Sequence, residues 1–387
     1  MRALLLVVLA AAAVPGLAQP LLVGAVLPQS GQLADIAGDM QKALLLWQEA
    51  RNAAGGLLGR RVELKLLDDR SEATASARLY DQLIEVDKAD VLIGPFGSAA
   101  TLTAAAVAER RRRVLINATG ITSNTQRAGT RYVFQVPAPA AEYGAGALAV
   151  AQAAGYRRLH VVARNDPGSR EAAARFVVQA AAAGLELGAA EAAPAAHIPV
   201  QIAKARSRDA QGWIAFGQPE DAADTIIAFK RFGYAPWMFL AQGAAEPRFV
   251  TLVGRDAEFA MGLSPYEARF ATRGNTEFVQ AWRKRWSTEP GTVAATAYAA
   301  ALVLEAGVRK AEGVETERLR AALATLELET PIGLYRVDAN GAQVGAKPAV
   351  VQILDGRREI VWPEALATAK WRLPYPRWDE RPKRAAP

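Results

Sequence analysis

The sequence predicts an α/β protein made of two doubly wound α/β lobes with a ligand cleft between them. Short apolar, β-branched runs alternate with amphipathic helical stretches over roughly the first 120 residues, and the alternation restarts after Val136-Pro137-Ala138-Pro139. The runs end in turns of small and polar residues, and open parallel sheets bind ligands at that edge. With 387 residues the chain is long enough for two such units, each with its own core.

The first unit opens with a strand at residues 21–27, which ends at Pro28-Gln29-Ser30-Gly31-Gln32. Residues 35–50 form a helix with Met40, Ala43, Leu44 and Trp47 on one face, closed by the glycines Gly55 and Gly56. A strand at 62–67 runs into Asp68-Asp69, and a helix covers 71–87. Val91-Leu92-Ile93 is a buried strand bounded by Asp90 and Gly94. Gly94, Pro95 and Gly97 make a tight turn, Ser98 takes the N-cap position, and residues 101–108 are helical. A strand at 114–116 ends in Asn117-Ala118-Thr119-Gly120. Right-handed crossovers then place helices on both faces of a parallel sheet.

The second unit repeats the scheme. Helices are predicted at 142–154, 171–183, 200–206 and 221–232. Strands are predicted at 159–163, from Leu185, at 213–216 and at 237–240. Their turns are Arg164-Asn165-Asp166, Gly217-Gln218 and Ala241-Gln242-Gly243. Helices follow at 276–286, 293–311 and 315–326. A strand and turn occupy 332–341, and a strand pair at 349–354 and 359–361 folds around Asp355-Gly356.

The turn after Ile93 carries the clearest chemistry. A strand that runs into a helix N-terminus leaves backbone N–H groups free, and these with the helix dipole suit a carboxylate or another electron-rich group. Gly97 and Ser98 are therefore candidate ligand contacts, with Phe96 as an apolar wall. An ordinary βα turn is the plain alternative.

Composition narrows the function. Met1-Arg2, an apolar run at residues 3–14 and Pro15-Gly16-Leu17-Ala18 have the layout of a signal peptide cut after Ala18. The chain has no cysteine, which removes a lipid anchor on cysteine, disulfides, thiol catalysis and a Cys-ligated metal. Its two histidines, His160 and His197, are far apart, which argues against a His metal cluster or a Ser-His-Asp triad. Asp68 and Asp69 are adjacent on a strand end and point to opposite faces, so they do not make an acid–base pair. No catalytic residue, metal or cofactor is expected. The net charge is +7, partly from a basic and aromatic tail at 371–387. Trp371, Tyr375 and Trp378 pin that tail to the body, and no nucleic-acid partner is implied.

Taken in order, several segments together resemble the type I periplasmic solute-binding proteins of ABC importers, in the Leu/Ile/Val-binding class of hydrophobic amino acid and amide receptors. They are Val23-Gly24-Ala25-Val26-Leu27-Pro28, Asn52-Ala53-Ala54-Gly55-Gly56-Leu57-Leu58-Gly59-Arg60, Leu66-Leu67-Asp68-Asp69, Ile93-Gly94-Pro95, Ile116-Asn117-Ala118-Thr119, Ala297-Tyr298-Ala299-Ala300 and Pro331-Ile332-Gly333. The resemblance implies lobe 1 at 20–137 plus 264–331 and lobe 2 at 138–263 plus 332–370, joined by three crossings. It implies a periplasmic, non-enzymatic monomer that closes on a small solute and delivers it to an inner-membrane permease and its ATPase.

The family's site carries over in part. Its carboxylate-binding Ser matches Ser98, and its backbone-carbonyl position matches Thr119, in the loop that begins at Asn117. The Thr position holds Ile121, and an aromatic position of the second lobe holds Ser169. The aromatic after residues 213–216 is replaced around Gly217-Gln218, and the acidic partner of the ligand ammonium is Gln242. Arg164 stands at a strand end facing the cleft, and Tyr143 and Tyr266 are weaker candidates. Loss of a buried carboxylate removes the charge partner of an ammonium, which disfavours a standard branched-chain amino acid. An organic or aromatic acid, an amide, or a neutral solute such as one linked to alcohol catabolism fits better. The competing readings are a periplasmic sensor for a membrane receptor and an exported enzyme. A DNA-binding regulator would need a helix-turn-helix where the signal peptide lies.

Overall fold

The structure, a computed structural model, describes residues 19–188, 191–192 and 194–381. The predicted signal segment at 1–18 and the end of the tail from 382 lie outside the described residues.

The first sheet is built from β1 (Leu21–Leu27), β2 (Val62–Asp68), β3 (Val91–Ile93), β4 (Leu115–Asn117) and β5 (Val133–Gln135). Its order is β2-β1-β3-β4-β5, and every pairing is parallel. The intervening helices are α1 (Ala34–Ala53), α2 (Ala75–Glu85) and α3 (Ser98–Arg111). Parallel order places Gln29-Ser30, Asp68-Asp69, Gly97-Ser98 and Asn117-Thr119 along one edge. The edge strand β5, which periodicity did not reveal, is only three residues long.

The second sheet follows α4 (Ala145–Ala153). It contains β6 (Arg158–Ala163), α5 (Pro167–Ala182), β7 (Glu186–Leu187), β8 (Glu191–Ala192), α6 (Ile198–Ser207), β9 (Gly212–Phe216), α7 (Pro219–Arg231), β10 (Met238–Ala241), α8 (Pro247–Val253) and β11 (Met261–Ser264). The chain then forms α9 (Asn275–Trp286), α10 (Thr292–Ala311) and α11 (Thr316–Ala324), and the hairpin β12 (Leu328–Thr330) and β13 (Gly333–Tyr335). It returns to the second sheet with β14 (Ala349–Leu354) and β15 (Arg357–Trp362). The order is β15-β14-β11-β10-β9-β6-β7, and β8 also pairs with β6. The last two strands run antiparallel, as their tight Asp355-Gly356 connection requires.

The helices of the chain's later part cover the first sheet. α10 is buried along most of its length, and its alanines let it lie close against α1. Trp47 of α1 and Trp282 of α9 are fully buried in the same core. The Trp47 indole donates to Glu305 of α10 at 3.1 Å, and Arg51 and Arg309 pair with that carboxylate at 2.9 and 3.1 Å. The second sheet has its own cores around Phe176 and Phe216 on one side and Trp213, Phe229 and Phe239 on the other. His160 is buried in β6 beside Gln201 and Trp213. The tail docks on this sheet: Tyr375 is buried, its N–H donates to the Trp237 carbonyl at 2.6 Å, and Trp378 packs beside it.

Candidate ligand-binding cleft

The turn after β3 is shaped by two glycines. Gly94 has φ +96°, and a Cβ there would come within 2.8 Å of Met40 Cε and 3.1 Å of the Tyr80 hydroxyl. Gly97, at φ +83°, is the residue that caps α3. Ser98 is thus the first helical residue rather than the N-cap, a correction of one position. Its Oγ accepts from the backbone N–H groups of Ile121 and Thr122 at 3.1 and 3.3 Å, which leaves its own proton to donate. Capping by glycine leaves the first-turn amides of α3 without a side-chain partner.

The β4 loop closes on itself. Asn117 is buried, and its side chain both accepts from the Gly120 N–H and donates to the Gly120 carbonyl at 2.8 Å. Its amide is therefore committed to the turn. Thr119 Oγ1 accepts from Gly97 N–H at 2.8 Å and donates to the Pro95 carbonyl at 2.9 Å, so the hydroxyl joins the two loops. Phe96 is half-buried and packs against the core of the first sheet.

The second-sheet loops are equally well tied. Asp166 caps α5, accepting from Ser169 N–H at 3.0 Å and the Ser169 hydroxyl at 2.7 Å. Ser169 is buried and spent on that cap. Arg164 is exposed and pairs with Asp221 at 3.3 Å and Asp166 at 3.7 Å. Gln218 caps α7, and its N–H donates to Asp221 at 2.8 Å. Gly243 lies against Gln218 so closely that a Cβ would fall 2.2 Å from its carbonyl. That approach holds the half-buried Gln242 next to the Gln218 loop. Tyr143 is packed in a core, and Tyr266 is buried with its hydroxyl on Asn275 at 2.9 Å.

The two sets of loops meet. A Cβ on Gly168 would lie 3.6 Å from Ile121 Cδ1. Glu171 of α5 accepts from the Thr122 hydroxyl at 2.8 Å, from Ser123 N–H at 3.1 Å, and from the Ser123 hydroxyl. Sequence reasoning missed Thr122, Ser123 and Glu171. In the sequence Glu171 reads as the acidic start of a helix, ordinary dipole compensation, although α5 begins four residues earlier, and nothing local links it to a loop 49 residues away.

At the same edge of the first sheet, Asp68 accepts from Ser30 Oγ at 2.7 Å, Arg70 N–H at 2.8 Å and Gln29 N–H at 2.9 Å. Burial pushes its carboxyl up, but these donors outweigh it and hold the carboxyl below its usual range. Asp69 is buried and pushed up, mainly by desolvation. Among the described residues, no group of three or more His, Cys, Asp or Glu side chains could hold a metal ion.

Two largely parallel α/β sheets whose carboxyl-edge loops touch define a type I periplasmic binding protein fold. The chain belongs to the periplasmic binding protein family, whose model matches residues 20–358. This is a family of substrate-binding proteins. A curated relative, Leu/Ile/Val-binding protein homolog 8 of Brucella abortus (strain 2308), is 23% identical over 374 residues, covering 90% of this chain and 92% of the relative. The leucine binding protein LivK of Thermotoga maritima MSB8 is similar in structure, with TM-score 0.77 and 20% identity over 88% of this chain and 97% of that one. A solute binding protein of an ABC transporter from R. palustris, solved in complex with benzoate, gives TM-score 0.75 and 21% identity over 92% of this chain and 97% of that one.

Proposed function

We propose that this protein is the extracytoplasmic substrate-binding component of an ABC-type importer. It captures a small organic solute between lobe 1 (20–137 plus 264–331) and lobe 2 (138–263 plus 332–370), which close about a hinge. The observation that carries this reading is the meeting of the α3 N-terminal turn and the β4 loop with α5, through Ile121, Thr122 and Ser123 on one side and Gly168 and Glu171 on the other. A solute held there gains contacts from both lobes only when they are closed, and that differential affinity drives closure.

Ser98 and the first-turn amides of α3 supply hydrogen-bond donors for an acidic or acceptor-rich head group. The Thr119 backbone carbonyl and Gln242 supply neutral polar contacts, and Phe96 and the loops bearing Gln218 and Arg164 complete the proposed site. Gln242 gives an ammonium no charge partner, so the preferred solute is an organic or aromatic acid, an amide or a neutral compound rather than a branched-chain amino acid. Signal cleavage after Ala18 delivers the protein to the periplasm, where it works as a monomer with its permease and ATPase.

A thermal-shift screen tests the reading, because a ligand of the native state raises the melting temperature by mass action. Benzoate, short organic acids or amides should raise it, and leucine, isoleucine and valine should not. A rise with the branched-chain amino acids alone would overturn the ligand assignment.

A further inference from the structure

A cavity of about 470 Å³ opens where the second sheet meets the helices that cover the first. Its walls come from distant parts of the chain: Glu246 and Pro247 ahead of and within α8, residues 266–269 after β11, the α9–α10 connection up to Thr292, and Arg358 of β15. Glu267 lines this cavity and is 4% exposed. Its Oε2 pairs with Arg358 Nη2 at 3.2 Å, and its Oε1 has no hydrogen-bond partner. The nearby Ser264 hydroxyl does not fill that role, since its one proton goes to the Tyr266 carbonyl at 2.7 Å.

Glu246 brings a second carboxyl to the same cavity. The other charges around it are engaged or exposed. Arg269 pairs with Glu359 at 3.1 Å, and Arg283 with Glu289 at 2.7 Å. Arg357 is exposed to solvent, and Arg358 also donates to the Ala245 carbonyl. At the buried end Arg358 is the ion-pair partner of Glu267, while Arg269 also acts on Glu267 and the Thr292 hydroxyl on Glu246. Burial pushes both carboxyls up in pKa, and Arg358 opposes it. A buried carboxylate oxygen left without a donor is costly, and a cation carrying N–H groups removes that cost.

We propose that this cavity binds a small organic cation, a primary ammonium or a guanidinium, whose N–H groups donate to Glu267 Oε1 and to the Glu246 carboxyl. The site uses none of the residues given a role in the proposed solute cleft; Tyr266, a weaker cleft candidate, lines this cavity instead. Glu246 directly follows the Gln242–Ala245 turn that begins with a cleft residue. A cation here bridges the second sheet to the helices packed on the first.

Calorimetric titration of the full-length mature protein with n-propylammonium, against n-propanol at equal concentration and ionic strength, tests the proposal. Saturable binding of n-propylammonium is expected, with no binding of n-propanol. Glu267→Gln and Glu246→Gln should each weaken that binding about tenfold or more, the scale of a lost charge-assisted hydrogen bond. Thermal melts establish that each variant is folded. If Glu267→Gln does not fold, Glu246→Gln and a crystal structure of the wild-type protein grown with n-propylammonium decide the matter. The nitrogen within hydrogen-bond reach of Glu267 Oε1 supports the site. Its absence there, an equal response to n-propanol, or unchanged affinity in the folded variants overturns it.

Discussion

Ser98 has two tasks that one oxygen can perform together. It accepts from two backbone N–H groups of the neighbouring loop, and it keeps a proton for a ligand. Ser98→Ala should therefore lower unfolding free energy by about 1–2 kcal/mol, the usual cost of partly buried donors left unmet, as well as weaken solute binding. Urea titration measures the first effect and ligand titration the second; an unchanged midpoint would mean that water replaces the hydroxyl fully. Asp68 makes a pH prediction. Its folded pKa is lowered, so its contribution to stability is present above the unfolded value and is lost as pH falls through the folded one. Asp68→Asn should flatten stability over that acid range, which melting curves from neutral to acid pH would reveal; parallel curves would contradict it. The Ser98 turn was legible because strand, glycine turn and helix start are all local signals. The commitments of Asn117 and Ser169 were less so. Their partners, Gly120 and Asp166, are close in sequence, and Asp166-x-x-Ser169 has the spacing of a helix cap, yet residue type alone does not say whether a polar group faces a ligand or its own loop.

At the scale of elements, long and periodic segments were read well, and short ones only where clear turn residues bound them. α1 and α10 follow from their apolar spacing, and their contact is fixed by Trp47, which fills the core and donates to Glu305. Trp47→Ala should cost about 3–5 kcal/mol by leaving a cavity, with the indole bond lost as well. Chemical denaturation would show it as a shift of the midpoint, and a loss near zero would mean that α10 closes the gap. β5 and β11, three and four residues long, escaped the sequence reading, whereas the equally short β3, β4 and β10 were found because small and polar turn residues close them. α8 begins with a proline after a loop and has only seven residues, so its period was equally hard to see. The pairing of β14 and β15 was legible because Asp355-Gly356 marks the turn.

For the whole molecule, the three returns of the chain between the sheet systems were implied by family resemblance, whereas local patterning gave only two α/β units. The contacts between Glu171 and the Thr122-Ser123 loop hold those units together at the proposed cleft mouth. Glu171→Ala should shift the ligand-free protein toward an open form. Small-angle X-ray scattering would record a larger radius of gyration than wild type, and identical scattering would assign Glu171 to local packing. The central claim, that a small solute binds between the lobes, is tested most directly by native mass spectrometry of the freshly purified mature protein. The account predicts a population heavier than the denatured chain by one small molecule, released on unfolding and identified as an organic acid, an amide or a neutral compound. Release of leucine, isoleucine or valine would contradict the ligand assignment. A native mass equal to the denatured mass, unchanged by addition of any of these solutes, would contradict the binding function itself.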